Sequence, residues 1–174
     1  MEKLIEYIKK MEGTTLGIGI ELEKIKDTIQ KNDKINTCYL LEESFSFNKK
    51  KMKIFEKTKT VNIKKIRKVF KKKRIENLIC NYKTISPFVK TFVKDSVYIN
   101  KGKLYIYSNS ENCKEIAEKY KRYTADIKIE KSDDYYIIIV NNKNTINNKL
   151  KDIKYWWQDT ISNLADILTN ILVN

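Results

Sequence analysis

The sequence contains no histidine, one proline, four glycines and three cysteines among its 174 residues. Without histidine, the chain lacks the side chain used most often as a general acid or base and as a metal ligand. Cys38, Cys80 and Cys113 lie far apart in apolar segments, which favours reduced structural thiols over disulfide bonds or a zinc site. We therefore expect chemistry that uses neither imidazole nor a metal ion.

Long hydrophobic runs are also missing. No stretch approaches the roughly 20 apolar residues of a membrane span, and the charged first residues, Met1–Glu6, are unlike a signal peptide. We expect no membrane span and a cytoplasmic protein. With 41% apolar and 33% charged residues, the chain should fold, and its length suits one core with at most an appendage.

Positive charge is abundant and concentrated in one segment. The formal net charge is +14, and fourteen Lys and Arg residues lie between Lys49 and Arg74 against a single acid, Glu56. This segment alone carries +13, which leaves +1 for the rest of the chain. The concentration favours contact with the phosphates of RNA or DNA over an anionic membrane, since nearby Tyr and Phe can stack on bases, and RNA is the favoured partner. An acidic protein, an anionic membrane surface or a merely solubilising face remain alternatives.

One predicted helix presents much of this charge. Asn62 suits an N-cap, and Ile63, Ile66, Val69 and Phe70 follow at helical spacing, which predicts an apolar face. The opposite face carries only Lys and Arg. The predicted nucleic-acid contacts on that face are Lys64, Lys65, Arg67, Lys68, Lys71 and Lys72.

A glycine turn near the start of the chain is the strongest local signal for a ligand site. The β-branched, apolar run from Thr14 meets Gly17 and Gly19 and then continues into a helical pattern over Glu21–Gln30. The pattern predicts a strand, a tight turn and a helix, where free N–H groups favour an anionic or hydroxyl-rich ligand. A turn that only needs small residues would give the same pattern.

Two acids follow the next predicted strand, Ile35–Leu41. Glu42 and Glu43 stand where an open α/β sheet places ligand groups, beyond the carboxyl ends of its strands. Solvated loop acids would look the same. The segment Phe45–Phe55 is compatible either with a strand at Met52–Phe55 or with a loop.

The remaining pattern alternates strands with helices and ends in a hairpin. A helix over Lys3–Met11, ended by Gly13, comes first, and every pair of strands before the hairpin should be parallel because a helix separates its members. The fold class predicted is α/β, a three-layer sheet of mostly parallel strands with a C-terminal antiparallel hairpin. The later predicted elements are a strand at 75–81, a helix from Pro87 capped by Ser86, a strand at 103–107, a helix at 111–123, and hairpin strands at 126–130 and 135–141.

From about residue 3 to 142, this order resembles a reduced class I S-adenosylmethionine-dependent methyltransferase fold. That family has an acid and then Gly-x-Gly-x-Gly after its first strand. Gly17 and Gly19 match two of the glycines, whereas Thr15 replaces the acid and Glu21 the third glycine. The resemblance implies S-adenosylmethionine as cofactor. The cofactor-binding residues it implies are Gly17, Gly19 and, at the family's ribose-binding acid, Glu42 or Glu43.

The resemblance also implies where a methyl acceptor would lie. Asn81–Tyr82 is loosely similar to the family's Asn-Pro-Pro-Tyr motif without its prolines, which makes Asn81 and Tyr82 the candidate catalytic residues. Methyl transfer from a sulfonium depends mainly on alignment, so it does not need histidine. The alternative function is a non-catalytic nucleic-acid-binding or accessory subunit. Another nucleotide-binding fold is disfavoured, because the chain has no phosphate-binding Gly-x-x-x-x-Gly-Lys-Ser/Thr loop.

The end of the chain lies outside this resemblance. We divide the chain into a Rossmann-like domain at 1–142 and a polar linker with an amphipathic helix at 143–174. The helix, predicted over Leu150–Val173, carries aspartates every seven residues on one face and apolar residues on the other. It either packs on its own domain or serves self-association or a protein partner. The apolar residues are Trp157, Ile161, Leu164, Leu168 and Ile171.

Overall fold

The computed structural model describes residues 1–41, 46–50, 59–60, 66, 70, 74–124 and 126–143, and for 40–41, 46–50 and 59–60 it gives the backbone alone. The described helices are α1 (Glu2–Lys9), α2 (Glu23–Lys31), α3 (Tyr82–Ile85), α4 (Val89–Ile99) and α5 (Lys114–Tyr120), with 3₁₀ turns at Ser86–Phe88 and Glu111–Cys113. The strands are β1 (Thr14–Ile18), β2 (Thr37–Leu41), β3 (Ser46–Lys50), β4 (Lys59–Thr60), β5 (Ile75–Asn81), β6 (Asn100–Ser108), β7 (Ile127–Ser132) and β8 (Tyr135–Asn141).

These strands form one sheet in the order β4-β3-β2-β1-β5-β6-β8-β7. The central strands β2, β1, β5 and β6 are parallel. The helix α2 connects β1 to β2, and α3 and α4 connect β5 to β6, so the chain returns to the same edge before the second strand of each pair begins. Only β3 and β8 run in the opposite direction among the described strands. The predicted α/β class, with mostly parallel strands and a terminal hairpin, is confirmed.

Helices cover both faces of the sheet, which gives the three predicted layers. Alternation along β6 shows why: Leu104 and Ile106 face one core, and Tyr105 and Tyr107 face the other. The first core includes buried residues of α4 and α5, and the second includes buried residues of α1 and α2. All three cysteines are buried, and none of them forms a disulfide bond. No helix in the described part of the chain is long and apolar enough to cross a membrane.

The sheet differs from the prediction on the side of β2. The strand β3, which was not predicted, pairs antiparallel with β2, so the expectation that all pairs before the hairpin are parallel was wrong. The two strands follow each other closely, and a short connection favours antiparallel pairing. The antiparallel hairpin lies at the other edge of the sheet, where β8 pairs with β6 and β7 is the outermost strand.

Two predicted helix boundaries were wrong. The helix α1 ends at Lys9, and Gly13, at φ +81°, leads into β1 instead of capping the helix. Gly13 N–H donates to the Lys34 carbonyl at 2.9 Å. The helix expected from Pro87 is preceded by α3, which is capped by Asn81, and the Ser86 hydroxyl donates to the Lys83 carbonyl.

Two residues of the predicted basic helix are described, and both are buried. Ile66 is fully buried and Phe70 is 7% exposed, with Phe70 N–H bonded to the Ile66 carbonyl at 2.9 Å, as in a helix. The Phe70 ring lies edge-on to Tyr39 of β2 at 5.1 Å. The predicted strand Met52–Phe55 lies outside the described residues. So do the six cationic residues of the basic face and the amphipathic C-terminal helix with its five apolar residues.

Candidate functional site

The carboxyl ends of the parallel strands meet at one edge of the sheet, called here the carboxyl edge. At β1 the strand order reverses, because the chain passes from β1 to β2 on one side and later places β5 on the other. In open α/β sheets, ligands bind beyond the strand ends at such a switch point. The described segments that meet there are the turn after β1, the start of α3 and the end of β6.

The two glycines that were predicted to form the turn lie in different parts of the structure. Gly17 is inside β1, opposite Leu40 of β2 and Ile79 of β5, so it belongs to the sheet. Gly19 follows the strand at φ +61°, a conformation that favours glycine. A Cβ atom at Gly19 would lie 2.0 Å from Thr84 Oγ1, so a larger residue would also collide with α3. The turn itself therefore depends on Gly19.

Thr84 and Tyr107 hold this turn from two other elements. The Tyr107 hydroxyl, at the end of β6, donates to the Gly19 carbonyl at 3.4 Å, and the Glu21 backbone hydrogen-bonds to the same phenol. Burial, with smaller effects of Cys80 and the Glu21 carboxylate, raises the pKa of Tyr107 far above its ordinary value. The phenol is therefore neutral at physiological pH. The Thr84 hydroxyl is buried and has no hydrogen-bond partner among the described residues.

The candidate catalytic pair is divided between the carboxyl edge and the core. Asn81 ends β5, and its Oδ1 accepts the Lys83 N–H at 3.1 Å, which caps α3. Tyr82 packs against the core on the side of α4 and α5. Burial, then Glu115 and Cys113, raise the pKa of Tyr82. Of the two side chains, only the Asn81 amide remains with the turn at the carboxyl edge.

The structure describes both residues at which the sequence differs from the methyltransferase glycine motif, Thr15 and Glu21. Thr15 is fully buried within β1, and its hydroxyl accepts from Asn77 Nδ2 at 3.4 Å, so it is part of the sheet. Glu21 is exposed just beyond Gly19. Glu42 and Glu43 lie outside the described residues. In the part of the chain that is described, no group of three His, Cys, Asp or Glu side chains is placed to hold a metal ion.

No protein-family model and no curated protein matches this sequence. Among solved structures, the chain is similar to M. capricolum TrmK in complex with the natural cofactor product S-adenosyl-homocysteine. The identity is 17% and the TM-score 0.47, with 95% of this chain and 86% of that chain covered. A similarity at this level assigns neither a family nor an activity to the chain.

Cationic and aromatic side chains extend the carboxyl edge beyond β6. Tyr136 of β8 lies opposite Ser108, the last residue of β6. The Lys114 ammonium is 4.9 Å and the Lys131 ammonium 5.6 Å from the centre of the Tyr136 ring, both within the range of cation–π attraction. Lys114 also pairs with Glu111. Sequence reasoning missed this cluster, as well as Thr84 and Tyr107, because their neighbours come from distant segments.

Proposed function

We propose that this chain is an S-adenosylmethionine-dependent methyltransferase-like protein that acts on RNA or another anionic macromolecule. The observation that carries the proposal is the switch point at β1, where the glycine turn and the end of β5 meet at the carboxyl edge. Gly19 supports this place for a ligand site, because its positive φ is the backbone conformation that a tight turn between a strand and a helix uses.

The described residues fit such a cofactor in part. The turn after β1 and the Asn81 amide stand where the cofactor and acceptor would meet, and Glu42 or Glu43 would hold the ribose hydroxyls. On the Cβ side of Gly19, however, Thr84 already fills the space. The cofactor would therefore approach the turn from another side. When bound, it would supply a methyl group on a sulfonium, and this chain's residues would only bind and align the reactants.

The close contact between Gly19 and Thr84 favours a second candidate, a non-catalytic accessory subunit that has lost cofactor binding. Such a protein would keep the sheet and bind nucleic acid through the basic segment, residues 49–74. The two candidates share an RNA-binding surface and differ in whether the cofactor binds.

Methyl transfer from labelled S-adenosylmethionine to RNA, DNA and protein substrates tests the first candidate. The proposal predicts label in RNA above a no-enzyme control. RNA binding without cofactor binding or methyl transfer would instead support the accessory subunit.

Nucleic-acid contact is proposed to run through Lys64, Lys68, Lys71, Lys72 and their basic neighbours. If five or six phosphates are engaged, the log–log salt slope of affinity should be about −4 to −5. Changing these four lysines together to Glu should abolish RNA binding and leave the melting temperature nearly unchanged, since exposed charges contribute little to stability.

A matched charge reversal controls for net charge. Lys3, Lys24, Lys31 and Lys90 are exposed on α1, α2 and α4, and their replacement by Glu changes the total charge equally. This control should retain most RNA binding at moderate salt. Equal losses in the two variants would show that overall charge, and not the basic segment, attracts RNA.

A further inference from the structure

A cavity of about 590 Å³ opens at the opposite edge of the sheet, where β5 and β6 begin. The end of α1 and Lys143, just after β8, complete its wall. Its volume is within the usual range for small-molecule sites. Because it lies at the amino ends of the parallel strands, it is separate from the switch point at the carboxyl edge.

Two tyrosines form an aromatic wall of the cavity. The rings of Tyr7 and Tyr105 are 5.4 Å apart and tilted by 37°. The Tyr7 hydroxyl is occupied, because it donates to Glu130 at 2.9 Å. Tyr105 is only 4% exposed, yet its hydroxyl has no hydrogen-bond partner among the described residues. Burial, with a smaller effect of Tyr7, raises the pKa of Tyr105 to about 12. It therefore offers a neutral hydroxyl to a ligand.

The charges around the cavity do not balance. The Glu76 carboxylate accepts the Thr14 N–H at 2.7 Å and pairs with Lys101 at 2.6 Å. The other lining acid, Glu12, pairs with Lys34 at 3.1 Å. Three further lining lysines have no carboxylate partner among the described residues. These are Lys10, Lys103 and Lys143.

We infer that this cavity binds a nucleotide, with the base or sugar against Tyr7 and Tyr105 and the phosphate at Lys10, Lys103 and Lys143. A phosphate matches the uncompensated ammonium groups, and an aromatic base matches the tyrosine wall. The source is either a free nucleotide or one unit of a single-stranded nucleic acid. The inference is independent of the proposed function, because S-adenosylmethionine has no phosphate and carries a positive sulfonium that these lysines repel.

Calorimetric titration of the full chain with adenosine 5′-monophosphate, adenosine, inorganic phosphate and pentaadenylate tests the inference. Binding of the monophosphate, at least about tenfold tighter than phosphate or adenosine alone, is expected for a free nucleotide. If only pentaadenylate binds, and the cavity variants weaken it, the source is a nucleic acid. Absence of binding by both nucleotide probes would overturn the inference, and so would displacement of the monophosphate by S-adenosylmethionine.

Variants locate the binding. Tyr105→Phe keeps the ring and removes the hydroxyl, so affinity should fall about 3- to 10-fold. Lys10→Ala with Lys103→Ala should reduce affinity more than tenfold and weaken its salt dependence. Lys24→Ala with Lys90→Ala removes two exposed lysines outside the cavity and should change affinity less than twofold. Equal affinity in all three variants and the parent would place the nucleotide elsewhere and overturn the inference.

Discussion

Gly19 determines how closely α3 approaches the end of β1. Its φ of +61° is rare for other residues, and an added Cβ would lie 2.0 Å from Thr84 Oγ1 and 2.6 Å from Thr84 Cβ. Both distances are too short for any real Cβ, so the turn or α3 would have to move. Strain and collision therefore act together at one residue.

Gly19→Ala should lower the free energy of unfolding by about 2 kcal/mol or more, measured by urea denaturation. Thr84→Ala is the matched change on the other side of the contact. It removes a methyl group and a buried hydroxyl without a described partner, so it should cost about 1 kcal/mol or less. A Gly19→Ala variant as stable as the parent would contradict the contact.

At this scale, the sequence located the turn but not its partners. Glycines between a strand pattern and a helix pattern are local signals, and they marked the correct place. The same pattern assigned Gly17 and Gly19 to one turn, whereas pairing with β2 and β5 holds Gly17 inside the sheet. Tyr107 reaches Gly19 from 88 residues away, a contact that no local pattern encodes.

Among the elements, α1 is tied to the turn after α2 by one side chain. Asn32 is 9% exposed and donates from Nδ2 to the carbonyls of Ile8 at 2.7 Å and Met11 at 2.9 Å. Its Oδ1 accepts the Lys34 N–H at 3.0 Å. The asparagine therefore adds a second donor to the Ile8 carbonyl, which also accepts the Met11 N–H at 3.1 Å, and supplies a donor to the Met11 carbonyl just beyond the end of α1.

Asn32→Ala should lower the free energy of unfolding by about 2 kcal/mol, because it removes two buried hydrogen bonds, to the carbonyls of Ile8 and Met11. Asn32→Asp has nearly the same shape but places a carboxylate near two carbonyls, so it should be at least as destabilising. Asn36→Ala changes an exposed asparagine nearby and should stay within about 0.5 kcal/mol of the parent. Urea denaturation of the three variants measures this order. Equal stability of Asn32→Ala and Asn36→Ala would refute the capping role.

Element types were easier to predict than their ends and neighbours. Periodicity identified α1 and α2, but it assigned Gly13 to a helix cap because a glycine after a helix pattern usually has that role. In the structure, the Gly13 N–H donates to the Lys34 carbonyl and the Gly13 carbonyl accepts the Asn36 N–H. These two bonds join Gly13 to the segment before β2, so the glycine leads into β1. The position of β8 between β6 and β7 depends on which of the two hairpin strands pairs better with β6. Periodicity within one segment carries no information about such pairing between segments.

Across the whole molecule, buried phenols and thiols replace histidine as the groups that link stability to pH. Burial is the largest cause of the raised pKa of each, which is about 11 for Cys113 and about 12 for Tyr105. The ordinary values are 9.0 for cysteine and 10.0 for tyrosine. Burial also raises the pKa values of Cys80, Tyr107 and Tyr120 well above these ordinary values.

The free energy of unfolding should therefore fall as the pH rises above about 9. In this range the unfolded chain loses protons that the folded chain keeps, so each group contributes up to about 1.4 kcal/mol per pH unit between its two pKa values. Urea midpoints measured from pH 7.5 to 11 check the slope. Tyr120→Phe removes one buried phenol and should make the slope shallower above pH 10. A stability independent of pH up to 11 would contradict the burial of these groups.

Calorimetric titration of the folded full-length chain with S-adenosylmethionine and S-adenosylhomocysteine tests the proposed function most directly. The proposal predicts saturable binding at one site, with a Kd below about 100 µM, weakened at least about tenfold by Glu42→Gln with Glu43→Gln. Glu2→Gln with Glu6→Gln, two exposed acids of α1, should leave the Kd unchanged. No binding of either compound at about 1 mM would contradict the methyltransferase-like proposal and favour the accessory subunit.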